Sequence, residues 1–307
     1  MTGAGGFIGA HLVVHLLAAG AQVDVLGPTP LKRRALRSLI ERDDVIYKPF
    51  ALDAEGAALA DALEGCDALI HLRYRPPAGD GFWSQLLEGV NDNLNETIRL
   101  LEAAAVAGVR HVSLASSVSV YKPPAFGVDE DAPVGEPLNA YATVKLQQEE
   151  CVRHWIHQTG RPAAILRLAT VYGPGETVGR AIPNFIRAAL SGGRPVVPGR
   201  GSAQFDPIYI GDVAGAFLCA IEKGSEGTFN IATGQGWPTR HVARLVMTLC
   251  AAEGDIELNR AALDRDRPVC DVTRAETVLG FKARTPLEAG LKAEIDWLRS
   301  VQLSRTA

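Results

Sequence analysis

The chain of 307 residues reads as an α/β protein, a doubly wound parallel sheet with helices on both faces and a smaller C-terminal lobe. Three observations predict this. Short apolar runs rich in β-branched residues alternate with helical periodicity as far as residue 168. A glycine-rich turn, Thr2 to Gly9, leads straight into a helix. The run His111 to Tyr121 is apolar and short enough for a strand buried on both faces.

Taken in order, glycines at 3, 6 and 9 precede an amphipathic helix over Ala10 to Ala19 that stops at Gly20. Glycines at such a turn let the backbone approach a pyrophosphate, which rests on the free N–H groups of the helix N-terminus. The spacing is GxxGxxG, not GxGxxG. A dinucleotide-binding unit needs an apolar strand before these glycines, and only Met1 precedes Thr2. Several further residues upstream are therefore expected in the natural protein.

Ala21 to Gly27 is the next strand. In NAD-binding folds its end carries an acid for the ribose 2′-hydroxyl, and Gly27 stands there instead. Lys32, Arg33 and Arg34 could meet a 2′-phosphate or form a solvated basic face, so NAD and NADP both stay open. Val45 to Phe50 is a third strand, with Asp53 just beyond it, placed to touch an adenine. Ala68 to Leu72 is a fourth. Gly81 to Ala107 is a long helix, broken near Gly89, carrying Asn93 and Thr97.

After the strand that ends near Ser117 comes a loop rich in Pro, Gly and acid, and then a helix opening at Asn139. Tyr141 and Lys145 are four residues apart and share one face of it. A phenol ordinarily holds its proton to a pKa near ~10, and a close ammonium favours the phenolate. Ser117 at the strand end could hydrogen-bond the same substrate oxygen. Together they form a proton-transfer site for an alcohol or a ketone.

Ala163 to Leu168 is another buried strand. The pattern then loosens: a helix over Ile182 to Leu190, a Gly/Pro-rich turn region, a strand over Phe205 to Ile210, a helix from Asp212 to Glu222, a strand over Thr228 to Ile231 and a closing helix over Pro286 to Arg299. Residues 1–168 form the dinucleotide-binding part. Residues 169–307 form mostly the lobe that closes over substrate, interleaved with the last sheet elements.

Composition narrows the function. Hydrophobic residues make up 47%, charged residues 21%, and the net charge is −4, which argues for a globular fold and against a nucleic-acid partner. Five scattered cysteines form no CxxC pair, so they read as reduced thiols. No apolar run reaches the ~18 residues of a membrane span, and no leader is visible. A cytoplasmic protein without a metal site is expected.

Read together, TGAGGFIG, LASSVSVY at 114–121, YATVK at 141–145, LRLATVYGPG at 166–175, YIGDVAGAF at 209–217 and LGFKARTPLEAGL at 279–291 resemble the extended short-chain dehydrogenase/reductase family, and within it the nucleotide-sugar epimerase/dehydratase group. The similarity covers nearly the whole chain and implies a Rossmann-like fold. It implies Ser117, Tyr141 and Lys145 as a catalytic triad, and Gly3, Gly6, Phe7, Ile8, Gly9, Asp53, Leu72 and Asn93 as further cofactor contacts. Substrate contacts are expected at Arg73, Ser117, Thr170, Asn184, Arg200 and Arg267, with Arg187 a further candidate for the phosphates. Arg73 stands where the family has a small residue, and points either at a substrate carboxylate or outward. The implied reaction is epimerisation of a nucleotide sugar, at C4, through a transient ketone with NAD. A keto-sugar or small-carbonyl reductase is the alternative, and a non-catalytic dinucleotide-binding relative a third reading. Family dehydratases carry an Asp-Glu pair where this chain has Val118 and Ser119, and decarboxylases a Glu at Ser119, so neither chemistry is expected. The resemblance also implies a homodimer through the Asn91 to Ala107 and Tyr141 helices.

Overall fold

The computed structural model describes residues 1–27, 43–49, 56–122, 126–135 and 139–306. In spatial order, the strands Val45–Pro49, Val23–Gly27, Ala68–His71, His111–Ser117, Ala163–Leu168 and Gly227–Ile231 all run parallel. Thr2 stands between the second and third of these, bridging Leu26 on one side and His71 on the other. Winding reverses across this line, so the glycine turn leaves the sheet at its switch point, where parallel α/β sheets open a crevice.

Alternation along the strands divides the core. Leu69, Leu114 and Ile165 meet Leu59, Leu100, Val152 and Trp155 on one face. Ile70, Ala115 and Leu166 meet Leu12, Val13, Val213 and Phe217 on the other. The helices Gly56–Leu63, Asn95–Val106 and Ala140–Thr159 cover the first face, and Phe7–Ala18 with Ile210–Lys223 the second. A third hydrophobic cluster, including Phe185, Val246 and Ile295, joins the helices Ala181–Leu190, Thr239–Cys250 and Leu287–Thr306 in the C-terminal lobe.

Several elements differ from the sequence reading, among them the helix Gly56–Leu63, which it did not assign. The first helix begins at Phe7, inside the glycine motif. The expected strand over 205–210 is two short strands, Gln204–Phe205 and Pro207–Tyr209, around a buried Asp206. That carboxylate accepts from the Thr233 hydroxyl at 2.5 Å and the Gly234 N–H at 2.9 Å, a local demand that interrupts pairing. Thr239–Cys250 is a helix the reading did not assign; its Thr- and Val-rich composition obscures a stripe of buried Val242, Ala243, Val246 and Met247.

The break near Gly89 is a π-helical turn at Val90–Leu94, between the helices Phe82–Gly89 and Asn95–Val106. Gly89 sits against the Tyr141 helix so closely that a Cβ there would lie 2.7 Å from Val144 Cγ2. The wider turn disturbs the backbone ladder. Asn93 O is met by side chains instead, accepting from Thr97 Oγ1 at 2.8 Å and Gln148 Nε2 at 3.4 Å.

A buried ion pair binds the Tyr141 helix to the sheet. Glu149 and Arg167 are 0% and 2% exposed. Arg167 Nε donates to Glu149 Oε1 at 2.9 Å and its Nη2 to Oε2 at 2.7 Å. Ser116 Oγ adds a bond to Glu149 Oε1 at 2.5 Å. Arg167 Nη1 reaches Tyr121 Oη at 3.0 Å, and Tyr121 donates to Asn230 Oδ1 at 2.6 Å. Arg167 and Ser116 together hold the Glu149 carboxyl below the usual carboxylate range against the opposing effect of burial.

Replacing Arg167 by Met strands that carboxylate, because breaking a buried pair on one side leaves an uncompensated charge. R167M is expected to lose about 3 kcal/mol or more of stability, measured by urea unfolding followed by circular dichroism.

Candidate active site

The cradle at the switch point is made by backbone. Gly3 has φ +74°, and a Cβ there would meet Arg73 N at 2.7 Å. A Cβ on Gly9 would fall 2.2 Å from Gly3 O. Only glycine admits this packing. The helix that follows has no side-chain cap and no acid in its first turn, so its leading N–H groups, from Phe7 to Gly9, remain donors for an anion. Phe7 itself packs edge-on against His11 at 5.9 Å. Leu72 runs beside this turn, its N–H donating to Thr2 O at 3.4 Å.

The Tyr141 helix starts at a capped end: Asn139 Oδ1 accepts from Ala142 N at 2.9 Å. This aims Tyr141 and Lys145 at the end of the strand His111–Ser117. Lys145 is 3% exposed and donates from Nζ to Ala115 O at 2.8 Å. Burial lowers its ammonium to about 8, with Glu149 one turn on pulling upward. Tyr141 behaves differently from the sequence expectation. Burial pushes its phenol above the ordinary value, and a hydrogen bond with Ser117 and the charge of Arg180 pull it back. Lys145 Nζ lies 5.9 Å from the Tyr141 ring centroid, held there by its bond to Ala115. The opposing cation is therefore Arg180, from across the cleft.

Arg180 begins the helix Ala181–Leu190, half-exposed, with Nε 3.6 Å from Glu176 Oε1. Arg267 is exposed, and local desolvation and then the Arg180 charge depress its guanidinium, so a second cation stands near the first. The segment carrying Arg267 is fastened by Asp264, whose carboxylate accepts from the backbone N–H groups of Arg200 at 2.9 Å and Gly201 at 3.1 Å, a small anion nest. Asn184 is turned to its own helix start, donating to Gly179 O and accepting from Arg187 Nη1 at 3.0 Å. Thr170 N–H donates to Asp206 O at 3.1 Å.

Two of the expected contact residues have partners within the chain. Arg73 is ion-paired with Glu96, which is 5% exposed and costly to bury alone. Asn93 turns its amide to the Arg75 backbone, accepting from N at 2.6 Å and donating to O at 3.0 Å. Asp53, Lys32, Arg33 and Arg34 lie outside the described residues. Residues without a sequence signal also gather here: Tyr74, whose ring meets Tyr141, and the buried pair Glu176 and Glu294.

Residues 1–232 match the profile of the NAD dependent epimerase/dehydratase family. The chain belongs to this family. It is 31% identical to a UDP-glucose 4-epimerase of Mycolicibacterium smegmatis and 29% identical to an uncharacterized UDP-glucose epimerase of Bacillus subtilis, each match covering 98% of both chains. Among solved structures, MoeE5 in complex with UDP-glucuronic acid and NAD superposes with a TM-score of 0.82 at 31% identity. The UDP-glucuronic acid 4-epimerase of Bacillus cereus in complex with NAD gives 0.86 at 27% identity. Both superpositions cover 98% of each chain.

Glu176 and Glu294 carry a pH signature. Burial raises Glu176 to about 7 and, with the Glu176 charge added, Glu294 to about 8. A carboxyl raised in the folded state binds more protons there than in the unfolded chain, so stability falls as pH rises from about 4.5 through about 8. E294Q is expected to flatten that fall and to gain on the order of 1 kcal/mol over the native chain above pH ~8. Thermal unfolding across the pH range measures both.

Proposed function

We propose that the protein is a UDP-sugar 4-epimerase that uses NAD. The observation that carries this reading is the meeting of Ser117, Tyr141 and Lys145 beside a glycine cradle only backbone can fill. The cradle fits a dinucleotide: the absence of side chains at Gly3, Gly6 and Gly9 lets the turn, the helix start and the neighbouring strand pack backbone to backbone, and the N–H groups of Phe7, Ile8 and Gly9 supply donors for a pyrophosphate. When bound, NAD supplies the acceptor and then the donor of a hydride at the sugar carbon. Lys145 is the residue to hold its nicotinamide ribose.

Tyr141 Oη takes the proton of the sugar 4-hydroxyl and later returns it. Ser117, hydrogen-bonded to the Tyr141 phenol, steadies the sugar oxygen as it becomes a carbonyl. Arg180, with Arg187 and Arg267, supplies positive charge for the diphosphate, and charged donors bind phosphate oxygens strongly. The C-terminal lobe, residues 169–307, thus forms the substrate side. Positions 118 and 119 hold a buried valine and a serine that accepts from Ser117 Oγ at 3.1 Å. Neither can remove a further proton, which supports epimerisation over dehydration.

Y141F is expected to keep NAD and UDP-sugar binding while isomer exchange falls by about a hundredfold or more. Proton NMR of UDP-glucose and UDP-glucuronic acid, each incubated with the protein, reads out the C4 isomers. Steady loss of NADH absorbance with a keto sugar, without isomer exchange, would instead identify a reductase.

The working unit is a homodimer. Trp83 and Leu87, one turn apart, are 78% and 63% exposed, and Ile98 and Val106 of the helix Asn95–Val106 are 47% and 74% exposed. Apolar exposure of this kind marks contact surfaces. I98K/V106K is expected to halve the mass in light scattering; an unchanged mass removes these helices from the interface.

A further inference from the structure

The segment that follows the strand Ala68–His71 is anchored on three sides. The Asn93 amide clasps the Arg75 backbone with both its ends. Arg73 is paired with Glu96, and its N–H lies where a Cβ on Gly3 would clash. Tyr74 stands between these anchors. Its ring meets that of Tyr141 edge to face, with centroids 4.8 Å apart at 85°. Lys145 Nζ is 5.1 Å from the Tyr74 ring centroid, nearer than the 5.9 Å to the ring of Tyr141.

We propose that Tyr74 is a positioning residue of the proton-transfer site: its ring fixes the angle of the Tyr141 ring and seats the Lys145 ammonium away from water. An ammonium over an aromatic face is drawn to the ring quadrupole, the more so where water is excluded. Edge-to-face rings hold a preferred angle. A base that is angularly fixed keeps its proton path aligned, which a freely turning phenol does not.

The role belongs to the ring rather than the hydroxyl. Burial, then the neighbouring Tyr141, pushes the Tyr74 phenol up to about 12, so it stays neutral at working pH. The other groups facing the pair are Ser117 and Arg180 at Tyr141, and Glu149 and His71 at Lys145. Burial, then the Lys145 charge, drives His71 down to about 3, so it too stays neutral. Removing the ring therefore leaves every charge at the site in place and admits water.

This inference rests on the assignment of Tyr141 and Lys145 as the proton-transfer pair, and the test separates the two. Y74L and Y74F are compared with the native chain, each alongside its Y141F counterpart, so that the difference in phenolate absorbance on alkaline titration isolates Tyr141 in the cofactor-free protein. In Y74L, Tyr141 is expected to titrate at lower pH, and the acid limb of kcat to move the same way. We expect kcat to fall by about tenfold or more while KM stays within about twofold. Y74F restores all three. Y74M, close in volume but without a ring, is read identically should Y74L fail to fold. An unchanged Tyr141 titration in Y74L or Y74M, or a Y74F as impaired as Y74L, overturns the proposal. Full activity in Y141F alone overturns the assignment on which it rests.

Discussion

The bond between Glu149 and Arg167 is the constraint on which the site depends. It crosses from the Tyr141 helix to the strand Ala163–Leu168 at a depth where neither charge could stand alone. One turn before Glu149 lies Lys145, and one turn before that lies Tyr141. Fixing the ion pair therefore fixes the height and rotation of the helix against the strand that ends at Ser117. Ser116 takes part in the pair while Ser117 faces the cleft, so adjacent residues of one strand divide the tasks of holding the helix and meeting the reacting oxygen.

Around this rigid centre the cleft is lined by segments held at their backbones. Asn93 holds 75, Asp264 holds 200 and 201, and Asp206 holds 233 and 234. Each uses one side chain, buried in Asn93 and Asp206 and exposed in Asp264, to satisfy amide groups that a loop would otherwise leave to water. Side chains such as Tyr74 and Arg267 thus project from supports that secondary structure does not supply.

What could be read from the residues beforehand follows the range of the interactions. The glycine spacing, the Asn139 cap and the Tyr141–Lys145 pair are local, written within a few neighbouring positions, and they stand where expected. The strands were legible because apolar runs buried on both faces need no partner to be recognised. The partner of Arg73 was not legible, because Glu96 lies on another helix and the sequence carries no sign that this carboxylate is buried. Lys145 was legible beside Tyr141 by proximity along the helix, but neither the burial that raises the phenol nor the Arg180 charge from the other lobe that opposes it was. Tyr74, an aromatic in a short loop, has no pattern around it to read. Glu176 and Glu294 meet across more than a hundred residues, and only tertiary packing places them together.

The π-turn at Val90–Leu94 bears on how the protein tolerates change in length. Such a turn is an α-helix holding one residue more than its two ends require. Deleting a residue there could restore ordinary helix while leaving both ends where they are, so the fold would accept the loss. The cost would fall on Asn93, whose carbonyl now takes bonds from Thr97 and Gln148 and whose amide grips the backbone beside Tyr74. The extra residue in this helix is the means by which a separate loop is aligned, and its removal would leave a protein of intact architecture with a misaligned cleft.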